Sequence, residues 1–146
     1  MKFNDFVKCC EWSKQDFYIR KHTQEILHGY KGDDIEMTDE DYEEAMKVLE
    51  GRLRREQLLF MASERNNKGI ELEKSGDIEG AIAVYEENIA DGYPAYHSFH
   101  RLMILYRKRK EYDNEIRVIL RTTEVFPNSD LSKRLAKARE LQSKAR

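Results

Sequence analysis

Two prolines in 146 residues constrain this chain more than any other count. Proline removes a backbone donor and clashes with the preceding helical turn, so long proline-free stretches leave room for helices. Pro94 and Pro127 stand 33 residues apart, and all seven glycines precede Tyr93. The expectation is an all-α protein. Composition agrees where it bears on that expectation. Hydrophobic residues at 40% supply a core, and the 26 Lys and Arg against 28 Asp and Glu suit long helices with solvated, mixed-charge faces. The length fits a domain of ordinary size. The two cysteines, Cys9 and Cys10, are adjacent, and neighbours rarely pair, which points to a reducing, cytoplasmic setting. The start lacks the apolar core of a signal peptide, and no apolar run is long enough to span a bilayer, so no membrane partner is expected.

Residues 1–61 read as an amino-terminal helical region. Phe3, Phe6, Val7 and Cys10 recur at helical spacing, and the pattern predicts a helix from Asn4 to about Leu27. A capping box from Ser13 to Asp16 is the alternative that would split it in two. Gly29, Tyr30 and Gly32 supply the stop. Residues 33–44 then hold eight acids and no base. Thr38 reads as an N-cap, with the acids opposing the positive end of the helix dipole. The helix that follows carries Tyr42, Met46, Leu49, Leu53, Glu56 and Phe60 at alternating spacings of four and three, a short seam that could bury one face or pair two chains into a homodimer. Gly51 is its weak point. Two ends remain open for this helix: a break between Ser63 and Asn67, or a continuous run to Lys74.

Residues 62–146 show an internal repeat with a period of 34 residues. Leu72 matches Tyr106, Lys74–Ile78 matches Lys108–Tyr112, Ala81-Ile82 matches Glu115-Ile116, and Tyr85 matches Ile119. Each unit reads as a helical hairpin. The first has helices over about 64–75 and 78–91, joined at Gly76-Asp77, with Ile78, Ala81, Ile82, Tyr85 and Ile89 inward. The second has helices over about 95–109 and 112–125, with Phe99, Leu102, Met103, Tyr106, Ile116, Ile119 and Leu120 inward. A last helix over about 130–144 carries Leu131, Leu135, Ala138 and Leu141 beneath a basic outer face, as suits a solvating cap on a stack.

Asn67-Lys68-Gly69 followed by Gly76-Asp-Ile-Glu-Gly-Ala-Ile-Ala-Val-Tyr85 resembles the tetratricopeptide signature. In the first unit Gly69 and Ala81 fall on two of the family's small positions, and Asn88 replaces the third. In the second, Met103 and Glu115 replace small residues, while Pro127 falls on the family's proline position. The resemblance covers roughly residues 62–127 and implies antiparallel hairpins stacked as a short right-handed solenoid; residues 1–60 lie outside it, and the periodicity adds an amino-terminal helical pair and a carboxy-terminal capping helix. It also implies a non-catalytic module that binds a protein or peptide along the first helices of its hairpins. The matching positions are Asn66, Ile70, Glu73 and Lys74 in the first unit. They are His97, His100, Ile104, Arg107 and Lys108 in the second, with Arg101 close by. The second half of that face is basic, which suits an acidic partner. The family's chaperone-binding members place lysine and asparagine where this chain has Asn66 and Ile70, so a chaperone clamp is not expected.

Arg107-Lys108-Arg109-Lys110 and the basic last helix allow a second reading, a regulatory protein that holds nucleic-acid phosphates. A solvated helix end, where cations favour the negative terminus of the dipole, explains the run better, because the chain is net acidic. His97 and His100 share a helix face but lack a third ligand at familiar spacing, so no metal is expected. Cys9 and Cys10 lack a nearby base, and there is no phosphate-cradling loop or nucleophile elbow. Neither an enzyme nor a cofactor is expected.

Overall fold

A computed structural model describes residues 1–9, 14–29 and 32–146. Among them the chain forms seven helices: α1 (Phe3–Val7), α2 (Gln15–Leu27), α3 (Asp39–Lys74), α4 (Ile78–Asp91), α5 (Tyr96–Lys108), α6 (Tyr112–Val125) and α7 (Ser132–Lys144). No helix among the described residues is long and apolar enough to cross a membrane. The chain divides into two compact units, Met1–Gln57 and Leu58–Arg146.

In the first unit, Phe6, Cys9, Tyr18, Ile35, Ala45 and Leu49 form the core. The single helix expected from Asn4 to Leu27 is instead two. Lys8 closes α1 by donating its N–H to the carbonyl of Asp5 at 3.2 Å, and Cys9 donates to Phe6 at 2.9 Å. That early closure turns Cys9 inward, where its Sγ donates to the Ala45 carbonyl at 3.2 Å. Cys10, Ser13 of the alternative capping box, and Tyr30 lie outside the described residues. Gly29 takes a left-handed φ of 85° after α2, as a stop requires. Lys2 and Asp34 form an isolated antiparallel bridge, with Ile35 donating to Met1 at 2.6 Å.

Thr38 caps α3: its Oγ1 accepts from the N–H of Asp41 at 3.2 Å. The helix is continuous to Lys74, which resolves the two ends left open by the sequence. The seam is a correction. Among its six positions only Leu49 is buried, and Tyr42, Leu53 and Phe60 are exposed. The buried face runs through Asp41, Ala45 and Leu49. The cause is polar. Asp41 turns inward to accept the Tyr18 hydroxyl and Lys14 Nζ, the latter at 2.5 Å, and this rotates the inward face off the apolar stripe. These bonds hold the Asp41 carboxyl below its usual range, with the Lys14 hydrogen bond the largest cause and the Tyr18 hydroxyl next.

In the second unit the two hairpin turns repeat bond for bond. Asp77 donates to Leu72 and Glu111 to Tyr106, each at 2.9 Å; Gly76 donates to Glu73 at 3.1 Å and Lys110 to Arg107 at 3.0 Å. Both are left-handed helix ends of the Schellman type, 34 residues apart. Gly76 has φ 85° and Lys110 has φ 60°, so the second turn holds a left-handed residue without glycine. Asp77 then caps α4 by accepting from Gly80 N–H at 2.9 Å, and Gly92 ends α4 with φ 68°. Tyr85, Phe99, Leu102, Met103, Val118 and Ile119 are the large side chains of the core, with Leu131, just before α7, and Leu135 and Ala138 of α7 closing it. Leu120 is a second correction: it is 46% exposed. The inward stripe of α6 runs Glu115, Val118, Ile119 and Thr122, which leaves Leu120 on the opposite side.

Candidate binding face

The residues expected to meet a partner lie on the second half of α3 and on α5, and side-chain bonds tie these two helices together at two levels. At the first level, Asn66 Oδ1 accepts from Asn88 Nδ2 at 3.1 Å and from Ser98 Oγ at 2.5 Å. Asn88 also donates to the Ala62 carbonyl at 3.1 Å and lies 2.9 Å from Ser98 Oγ. Asn88 is 1% exposed and Ser98 fully buried, so a satisfied polar network fills the place where the resembled family keeps a small residue. Arg65 brackets this network from outside, pairing with Glu87 at 3.2 Å and with Asp91.

One turn further along, Arg101 grips Glu73 with two parallel bonds, Nε to Oε2 at 3.0 Å and Nη2 to Oε1 at 2.5 Å. The Tyr85 hydroxyl donates to the same Oε2 at 2.8 Å, and His97 Nε2 lies 3.4 Å from that hydroxyl with the two rings edge-on. Arg101, above all, holds the Glu73 carboxyl below its ordinary range. Burial drives the Tyr85 phenol upward, with Glu73 adding to it. Burial also pushes His97 downward, aided by the Arg101 charge. Tyr85 reaches Glu73 because its ring crosses the backbone of α3 at Gly69, where there is no side chain to stop it.

At the other end of α5, Arg107 Nε donates to Glu115 Oε2 at 3.1 Å and its Nη2 lies 2.9 Å from Oε1. The same Nη2 donates to the backbone carbonyl of Arg134 at 3.3 Å. Glu115 is fully buried, at the position where the first unit has Ala81.

The expected site residues therefore separate into two groups. Asn66, Glu73, His97, Arg101 and Arg107 are half-buried and bonded into the scaffold. Lys74, His100 and Lys108 are exposed, with Ile70 and Ile104 half-buried at equivalent positions of the two units. Lys74 makes a surface pair with Glu71 at 3.2 Å, and His100 stacks on the exposed Tyr96 ring at 5.6 Å. Lys108 makes no ion pair among the described residues. In the basic run, Arg109 pairs with Glu79 and Glu111, both at 2.6 Å, and Lys110, like Lys108, makes no ion pair among the described residues. Among the described residues no three histidines, cysteines or acids converge on a metal position.

Sequence reasoning passed over Ser98, the Tyr85 hydroxyl and Arg134. It noted Glu115 only as a departure from a small residue. An acid eight residues after an arginine, across a tight turn, was the available signal for that pair. The arrangement is a helical scaffold whose charged groups are largely spent on internal bonds, with a narrow strip of exposed Lys74, His100 and Lys108 beside half-buried Ile70 and Ile104. No family model matches the chain, no curated protein matches it, and no solved structure matches it.

Proposed function

We propose that residues 58–146 form a tetratricopeptide-like right-handed stack that works as a non-catalytic, cytoplasmic interaction module, taking a protein or peptide along the strip formed by α3 and α5. The observation that carries this reading is the bond-for-bond repetition of the two hairpin turns at the 34-residue offset. Such a repeat presents equivalent positions of successive first helices side by side. Ile70 and Ile104 are one such pair, and Lys74 and Lys108 another. Each unit sets an aliphatic side chain four residues before a cation, on one helix face. The bonds from α3 to α5 keep the strip rigid, which lowers the cost of ordering it on binding.

Selection from a random peptide library displayed on phage tests the reading. The unaltered protein should enrich a consistent ligand motif, and the exposed-strip variant Ile104→Glu/Lys108→Glu should fail to retain those ligands while keeping its helical circular dichroism. Enrichment of no motif, or equal retention by the variant, would reject the proposed face.

A further inference from the structure

The Glu115 carboxylate is shared by two guanidinium groups. Arg107 holds it from α5 with the bonds already described, and Arg134 approaches from α7, bringing Nε to 3.4 Å from Oε1 without completing a hydrogen bond. Arg134 makes no other ion pair among the described residues. Two cations thus face one buried anion, and the trio carries one positive charge more than it balances. Both side chains keep partial exposure, 31% for Arg107 and 26% for Arg134, while Arg134 Nε itself is buried against Glu115. Lys108 and Lys110, which flank the paired Arg109, add to the imbalance.

We propose that Arg134, together with Arg107, forms an anion subsite that takes a carboxylate of the bound peptide, an Asp or Glu side chain. The inference rests on the reading of α3 and α5 as a binding face and extends that face onto α7, which the sequence assigned only to capping. A planar carboxylate fits because a guanidinium presents its N–H groups as a flat fork. Arg107 is held by Glu115 and the Arg134 carbonyl, and Arg134 is held by its ion pair with the same buried carboxylate. The buried Glu115 keeps the two cations together, and it supplies only one of the two charges they require. A ligand acid would supply the second.

The test uses the full chain and three probes: an N-acetylated, C-amidated Leu-Glu-Leu-Glu-Leu peptide, its Leu-Gln-Leu-Gln-Leu counterpart, and inorganic phosphate at matched ionic strength. The readout is the arginine Nε–Hε signals in nitrogen-15 NMR. The Glu peptide should shift the Arg134 signal saturably, with the Gln peptide and phosphate far weaker. Arg134→Gln should weaken the Glu peptide about tenfold or more, as expected for losing a charged hydrogen-bonding group. Glu115→Gln keeps the side-chain volume and removes the competing negative charge, so it should tighten binding several-fold, the opposite of what a merely structural role gives. Should Glu115→Gln lose helical signal, Arg134→Lys replaces it; retaining the charge without the fork should give an affinity between the unaltered protein and Arg134→Gln. Equal shifts from the Glu and Gln peptides, phosphate binding as tight as the Glu peptide, or an unchanged affinity in Arg134→Gln would overturn the subsite. If library selection yields ligands without acids that Arg134→Gln binds equally, the subsite alone falls. If selection is empty and the Glu peptide shifts nothing, both readings fall.

Discussion

Gly69 lies directly beneath the ring of Tyr85, so close that a Cβ built on the glycine would stand 2.1 Å from Cε1. The contact lets one ring fill the core and carry its hydroxyl to Glu73. Gly69→Ala should force the ring away, and overpacking of this kind costs about 1–3 kcal/mol. Urea unfolding followed by circular dichroism measures it. The double variant Gly69→Ala/Tyr85→Leu should cost less than the sum of the two single changes, because the clash disappears with the ring. Strict additivity would mean that the two residues do not meet.

Asn88 is buried with its amide satisfied from α3 and α5. Asn88→Leu leaves Asn66 and Ser98 without that partner, and stranding buried polar groups costs about 1–3 kcal/mol each. Asn66→Ala/Asn88→Ala/Ser98→Ala should be milder than the sum of its parts, since the network would be emptied rather than broken. Denaturant midpoints of the set decide between the two.

The two equivalent turns make a paired prediction. Lys110 holds a left-handed φ that costs a non-glycine residue roughly 1–2 kcal/mol, so Lys110→Gly should stabilise the protein by up to about 1 kcal/mol. Gly76→Ala, at the matching position, should destabilise by a similar amount. Thermal melts of both variants should move in opposite directions.

Glu73 and His97 respond to acid in different ranges, and the lowered Asp41 carboxyl adds to the Glu73 stage. The folded state lowers the Glu73 carboxyl, so its contribution is complete above the unfolded carboxylate range near about pH 4.3 and is lost as pH falls through the lower folded value. The folded state also lowers His97, so its contribution is complete above the unfolded histidine value near about pH 6.5 and is lost as pH falls through the lower folded value. Stability should therefore decline in two stages on acidification. His97→Phe should flatten the first, below about pH 6.5, and Glu73→Gln should lessen the second, below about pH 4.3. Urea midpoints measured from neutral to acid pH separate them; an unchanged profile in either variant would remove that group from the account.

Much of the second unit was legible in the sequence because its signals are local. Gly76-Asp77 and Gly92 fix where α4 begins and ends, and α4 spans the expected 78–91. The same holds for α6 over 112–125, although its turn is built on Lys110 rather than glycine. The inward stripe of α3 was not legible, because it depends on Asp41 finding Tyr18 and Lys14 on another helix, and apolar spacing cannot report a buried acid. The binding strip was legible only as a set of positions. The spacing places Arg101 and Arg107 correctly on α5, but nothing in it tells that Glu73, 28 residues before Arg101, will neutralise one of them. Sequence yields the charge of a face before pairing, and the fold decides how much of that charge survives.

The repeated turns have a consequence for how the chain reaches its native state. Each is closed by bonds between residues at most five apart, so each can form before any distant part of the chain has arrived. A segment with two copies of one such closure has two starting points for folding. The helices flanking either one can dock first, and the other hairpin then grows against a surface already in place.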